Sequence, residues 1–386
     1  MDSKKENSFI NIITDSFSAY KFVEPHVRHI DKKTGNKGYV ACNFDSFDDA
    51  KSFQITHNPI DIKIEREIKL FRDLLALVKL IIFFLKNNFS IIHTHNAKAG
   101  IIARLAAKMS GANNIIHTTY DYGFINLEKN RFKRLLFIFI ERLCGKFTDK
   151  LIVVSDTTKA DAIRYRIIDE GRIIIIPEVP SIEEFNNDRV NDERKKYIAE
   201  KYTIEKHKEE VLIGTVARLV PHKGVDTLIE SASILAKKGL PVRFLIVGGG
   251  PEEENLKELA KEKRVSELIT FTGFIEDQSE MIYLFSHMDI FWLATKSEGQ
   301  GLVYSEAQLM DIPVIGSDID PCRQMIGEGG LLCDPTSPEE FSSNAQEIIE
   351  SESIRANLIK KGKSHALSIS ASTLDDKLKV YEHFWL

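Results

Sequence analysis

The chain has 386 residues, 43% apolar and 28% charged, an ordinary globular composition spread over too many residues for one core. Its four cysteines, Cys42, Cys144, Cys322 and Cys333, are scattered and form no CxxC pair, which argues against a disulfide framework or a zinc site and suits a reducing compartment. The net charge of −5 hides an asymmetry, 28 Lys+Arg against 21 Asp+Glu in residues 1–180 and 24 against 36 in the rest, so no basic footprint of a nucleic-acid binder covers the whole chain.

The opening segment MDSKKENSFINII is polar and holds no apolar core of signal-peptide length. Short apolar runs then alternate with helical patterns. Strands are predicted at 9–14 and 39–42. The stretch 74–85, broken only by Lys79, is too short to span a bilayer and reads as a largely buried helix. Its other reading is a helix dipping into a bilayer interface. Further strands are expected at 91–94, 114–118, 151–154 and 173–176, with a helix at 97–109. The segment 131–147 sets Arg131, Lys133 and Arg134 beside an apolar run, a pattern that favours anionic headgroups. Residues 177–197, with two prolines and many polar residues, read as a linker. Beyond it strands are expected at 211–216, 243–247, 269–272, 290–293, 314–317 and 331–333, and helices at 224–237 and 251–263. The runs are continuously apolar, as strands buried on both faces of a parallel sheet are. The expected architecture is therefore α/β and doubly wound, twice over: a domain at 1–180, another at 181–370, and a helix at 371–386 that packs back on the first. Ligands then belong in a cleft outside the strands' carboxyl ends.

Three segments carry chemistry. In 215–235 a buried strand ends at Val216 and Arg218 and Lys223 follow in a loop, two cations suited to a diphosphate. In 244–260 a strand runs into Gly248, Gly249 and Gly250, which let a ligand approach the backbone. In 294–318 a strand leads to Glu298, Gly299, Gln300 and Gly301, and a helix starts near Leu302, whose bare amides and dipole make an anion site. Glu298 can accept from sugar hydroxyls. Glu306, a turn into the helix, leans back toward ribose hydroxyls. His93 and His95 alternate at a strand end and read as unlikely metal ligands, because no carboxylate or third histidine stands at ligand spacing.

At ARLVPHKGVDTLI, VGGGP, SEGQGLVYSEA and IPVIGSD the chain resembles glycosyltransferase family four. In the first half the likeness rests on IEREIKLFRDLLALVKL (64–80), SIIHTHNAKAGIIARLAAKMSG (90–111) and FTDKLIVVSDTTKADAI (147–163), and it is to bacterial members that build cell-surface polysaccharides. The resemblance implies a GT-B fold, two Rossmann-like domains facing across a cleft, the first binding acceptor and the second nucleotide-sugar. It implies a retaining, metal-free transfer from a nucleoside-diphosphate sugar, a UDP-sugar rather than a GDP-sugar, to a lipid-linked saccharide, with no cofactor. It assigns Arg218 and Lys223 to the diphosphate, Glu298 to the transferred sugar and Glu306 to the ribose. Gly249, Gly299, Gln300, Gly301 and Leu302 complete the donor site, and Gly273, Phe274 and Ile275 offer backbone to the base. The family's histidine near the reacting sugar falls at Tyr120, or at His117 after a register shift, and both remain candidates. Gln300 stands where the family often has Phe. An epimerase on the same fold, or a catalytically silent binding subunit, are the alternatives. A basic first half suits contact with an anionic membrane, at the inner face of the cytoplasmic membrane.

Overall fold

A computed structural model describes residues 7–44, 57–65, 69–125, 130–180, 182, 184–204, 207, 209–275 and 277–385. It divides into two units, Met1–Glu178 with Ala371–Leu386, and Val179–Ser370.

The first unit runs β1 (Ser8–Asp15), α1 (Ser16–Ser18), α2 (Glu24–Thr34), β2 (Lys37–Asn43), β3 (Pro59–Asp61), α3 (Leu70–Lys86), β4 (Ile91–His95), α4 (Ala97–Met109), β5 (Ile115–Thr119), α5 (Arg131–Gly145), β6 (Lys150–Val153), α6 (Asp156–Arg164) and β7 (Ile173–Ile175). Its seven strands are parallel in the order β3-β2-β1-β4-β5-β6-β7. Side chains alternate across the sheet. On β1, Phe9 and Ile13 enter a core shared with α2, while Ile10 and Ile12 enter another shared with α3 and α4. Each such full burial is worth about 1.5–3 kcal/mol, which is why the runs are apolar on both faces.

The second unit runs α7 (Asp192–Lys201), β8 (Val211–Val216), α8 (Val225–Lys237), β9 (Val242–Val247), α9 (Glu253–Glu262), β10 (Ile269–Phe271), α10 (Met281–His287), β11 (Ile290–Leu293), α11 (Leu302–Leu309), β12 (Val314–Ser317), α12 (Asp320–Ile326), β13 (Gly330–Cys333), α13 (Pro338–Glu350) and α14 (Glu352–Trp385). The strand order is β10-β9-β8-β11-β12-β13, again parallel. Phe291 and Leu293 face one core, and Ile290 and Trp292 the other.

The last turns of α14 belong to the first unit. There Tyr381 meets Phe9 edge-on at 5.1 Å, Trp385 lies 5.8 Å from the same ring, and the Trp385 indole donates to Ser90 Oγ at 3.1 Å.

One strand was not anticipated and one expectation needs correction. The edge strand β3, three residues beginning with proline, has no apolar run to announce it. The apolar stretch 74–85, read as largely buried, lies in α3 with Leu74, Val78, Ile82 and Leu85 exposed. Ala76, Leu80 and Phe84 of that stretch enter the core, with Leu77, Ile81 and Phe83 packed against it partly buried.

Candidate functional site

In the second unit the strand order reverses between β8 and β11, the place where open parallel sheets bind ligands beyond their carboxyl ends. The loops leaving these two strands are tied backbone to backbone. The Lys296 amide donates to the His222 carbonyl at 2.7 Å, and the Thr295 hydroxyl donates to the same oxygen at 3.2 Å. Gly224 permits the approach: its φ is +65°, and a Cβ there would lie 1.8 Å from the Ala294 carbonyl oxygen. At the tip, Lys223 Nζ donates to the Glu298 carboxylate at 2.5 Å, with both side chains partly exposed.

The triple glycine works on the other side of the β8 loop. The Leu219 amide donates to the Gly249 carbonyl at 3.0 Å, and the Gly248 amide to the Gly273 carbonyl at 3.1 Å. A Cβ at Gly250 would stand 2.3 Å from the Leu219 carbonyl oxygen, and one at Gly249 would stand 3.1 Å from the Phe274 amide nitrogen. The glycines thus let the loops after β8, β9 and β10 stack backbone on backbone. Arg218 and Phe274 are exposed there and Ile275 is buried.

α11 starts directly after Gly301, whose φ of +88° turns the chain into the helix. The first amides of any helix lack an internal acceptor, so this end attracts anions. Tyr304 pins the helix by donating from its buried hydroxyl to the Leu293 carbonyl at 3.0 Å. Glu306 is buried on the second turn. The Gln300 side chain turns inward instead, its amide nitrogen 3.2 Å from Met325 Sδ. Only its backbone is left to line the loop with Gly299, Gly301 and Leu302. Expected residues from separate segments are therefore assembled at one set of strand ends, and burial of Glu306 is the part that spacing alone did not show.

In the first unit the reversal falls between β1 and β4. Asn96 donates to Thr14 Oγ1 at 2.8 Å, bridging the two strand ends, and Asp15 caps α1 by accepting from the Ser18 amide at 2.9 Å. Sequence reading passed over Thr14, Asp15 and Asn96, since neither a glycine nor a cation marks these loops.

Strand alternation separates the two candidates at the carboxyl end of β5. His117 faces α4, wholly buried, with Nδ1 2.9 Å from Thr94 Oγ1 and its ring beneath Gly100, where a Cβ would come within 2.4 Å. It is a core histidine, which counts against the reacting-sugar role offered for it. Tyr120 lies beyond the strand on the opposite face, partly exposed, with its hydroxyl 3.1 Å from His95 Nδ1 and its ring 5.3 Å from Phe22. Burial, with Glu178 and Asp15 nearby, holds its phenol well above the ordinary range.

His93 and His95 do have a third histidine beside them. α2 supplies His26, and ring nitrogens of all three lie within 4.8 Å of one another. Spacing along the chain could not show it, because α2 lies far away in sequence. The rings are engaged with neutral groups: the Asn11 side-chain oxygen stands 3.1 Å from His26 Nε2 and 2.9 Å from His95 Nε2, and His93 Nδ1 stands 2.7 Å from the Tyr381 hydroxyl. Burial first, and the Lys377 ammonium among the charges nearby, push all three well below the usual histidine value. The three rings are thus held in a buried hydrogen-bond network with Asn11 and Tyr381. A cavity of about 740 Å³ beside α3 is lined by Ile60, Leu75, Phe83 and neighbours, and by none of the expected site residues.

Two family models divide the chain between them. Glycosyl transferases group 1 matches residues 197–365, and Glycosyltransferase Family 4 matches residues 33–178. The chain belongs to glycosyltransferase family four. Within the family, the capsular polysaccharide biosynthesis glycosyltransferase CapM of Staphylococcus aureus is 26% identical, with 78% of each chain covered. The UDP-Gal:alpha-D-GlcNAc-diphosphoundecaprenol alpha-1,3-galactosyltransferase of Escherichia coli is 27% identical over 66% of this chain and 64% of that one. Among solved structures, Anabaena Alr3699/HepE in complex with UDP and glucose superposes with a TM-score of 0.77 at 15% identity, covering 97% of this chain and 99% of that one. The fold is that of the GT-B glycosyltransferases. Neither the epimerase nor the silent-subunit alternative finds support among these relatives.

Proposed function

We propose that this glycosyltransferase moves a sugar, with retention of anomeric configuration, from a nucleoside-diphosphate sugar to a hydroxyl of a lipid-linked saccharide in cell-surface polysaccharide synthesis, at the inner face of the cytoplasmic membrane. The observation that carries it is the Lys223–Glu298 pair at the β8/β11 reversal, beside the amino end of α11. A donor can take both partners at once. Its diphosphate replaces the carboxylate at Lys223, and a sugar hydroxyl donates to the freed Glu298. Arg218 and the first amides of α11 add to the charge on the leaving diphosphate, and Glu306 serves the ribose. The bond from the anomeric carbon to phosphate oxygen breaks, the bond to the acceptor oxygen forms on the same face, and the acceptor proton passes to the leaving phosphate. In this reading the transfer needs no metal.

The names of the relatives support the acceptor class, since one acts on a diphosphoundecaprenol-linked sugar. A UDP-sugar donor is favoured because that relative's name specifies UDP-Gal and a structural neighbour was solved with UDP. The test is a thermal-shift screen of UDP-, GDP- and ADP-sugars, followed by transfer to a diphosphate-linked lipid acceptor. Stabilisation by a UDP-sugar, transfer insensitive to EDTA, and loss of transfer in Glu298→Ala are expected. Full activity of Glu298→Ala would refute the site assignment.

A further inference from the structure

α3 and α5 turn their apolar stripes outward. Phe71, Leu74, Val78, Ile82 and Leu85 are exposed on α3, and Phe132, Leu135, Leu136, Phe139 and Leu143 on α5. Both sets recur at three- and four-residue spacing, so each forms one stripe along its helix. The opposite faces do the holding: Ala76, Leu80 and Phe84 enter the core under α3, and Ile138 and Cys144 are buried under α5. α3 packs against α4 and α4 against α5. The right-handed connections β3–β4, β4–β5 and β5–β6 set all three helices on one face of the sheet. α4 contributes Met109 and Lys108 to the same exposed side.

The exposed charges carried by the two helices are cations, while Asp61 and Glu65 stand across the groove beside α3, where Glu65 is paired with Lys69 and Arg72. Lys79, Lys86, Arg131, Lys133, Arg142 and Lys146 are exposed. The carboxylates of the two helices are Asp73 and Glu141. Asp73 is paired with Lys98 at 2.7 Å, and Glu141 is buried against Arg104 at 2.8 Å. Large apolar side chains ringed by cations, with each carboxylate neutralised, are complementary to a bilayer that holds anionic headgroups over hydrocarbon. Among the described residues no helix is long and apolar enough to cross a membrane, so these would lie in its surface.

We propose that the outward faces of α3 and α5 form a docking surface for an anionic lipid bilayer. The proposal rests on the membrane location given above but uses no donor-site residue, so either can fail without the other. It is tested on the full chain by flotation with vesicles of phosphatidylcholine alone or with about 30 mol % phosphatidylglycerol, at about 0.1 M and about 1 M salt. Flotation with the anionic vesicles at low salt, at least roughly tenfold above the neutral ones and reduced at high salt, is expected. Phe139→Glu and Ile82→Glu should each abolish most of it, and Lys133→Glu should weaken it, while the thermal shift given by UDP-sugar stays as in the parent chain. That shift separates loss of docking from loss of fold or of donor binding. No flotation at low salt would overturn the proposal, as would flotation indifferent to both glutamate variants. So would a dimer in light scattering, lost in the same variants, without vesicle binding, because the face would then belong to a second copy of the chain.

Discussion

Two lysine–glutamate pairs of nearly equal length, one in each unit, have opposite surroundings. Lys223 and Glu298 are 2.5 Å apart with 18% and 15% of their side chains exposed. Lys377 and Glu178 are 2.6 Å apart with 2% and 3% exposed. The first pair stands at the ends of β8 and β11, where water or a ligand can replace either partner. The second ties α14 to the end of the first unit, where burial pushes the Glu178 carboxyl above its usual range against the pull of Lys377. Distance alone does not tell a binding pair from a structural one. The cost of separating the partners does, and that cost depends on what else can solvate them.

The comparison breaks if the two lysines behave alike. The largest effect is expected at the exposed pair: Lys223→Ala should lower kcat/KM for transfer about 10²–10³-fold, as loss of one charge-stabilising donor does. Its unfolding free energy should stay within about 1 kcal/mol of the parent, because a partly exposed pair adds little to stability. At the buried pair the order inverts. Lys377→Met should cost about 3–5 kcal/mol in urea unfolding by removing the ammonium that faces a buried carboxylate, and Lys377→Met with Glu178→Met should recover most of it. Gly224→Ala sharpens the point. With φ at +65° and the Ala294 carbonyl in the way, it should cost about 1–3 kcal/mol and also impair transfer, since this turn sets Lys223 against Glu298.

The smallest effect per residue concerns pH. His26, His93, His95 and His117 are held below the ordinary value of about 6.5, mainly by burial. Between that value and their lower folded values the unfolded chain binds more protons, so stability is full above pH ~6.5 and falls as the pH drops beneath it. Each histidine contributes at most about 1.4 kcal/mol per pH unit. Melting followed from about pH 7.5 to about pH 5.5 should show a falling midpoint. His93→Gln should flatten the slope without touching donor binding.

Much of this was legible in the chain. Ile290 to Leu293 and Val211 to Val216 are continuous apolar runs, and a strand buried on both faces leaves that mark whatever surrounds it. Arg218, Lys223 and Glu298 were found because they follow such runs, and Gly224 shows why the loops must meet. What was hidden depends on which way a pattern faces. Periodicity in α3 shows a stripe but not its direction, so a stretch read as largely buried proves to expose one whole face. His117 and Tyr120 differ by an odd number of positions, and only the register of β5 against β4 sends one under α4 and the other toward His95. His26 joins His93 and His95 through the packing of α2, a contact that no local spacing encodes.

The 34-residue α14 has a consequence for biosynthesis. Tyr381 and Val380 complete the apolar core on the α2 side of the first unit, yet they leave the ribosome after all of Val179–Ser370. At about 5–20 residues per second, those 192 residues take roughly 10–40 s to make. For that interval the first unit exists without its last helix, with Phe9 and the histidine network uncovered on that side. The nascent chain therefore offers chaperones a defined apolar surface that the finished protein no longer has.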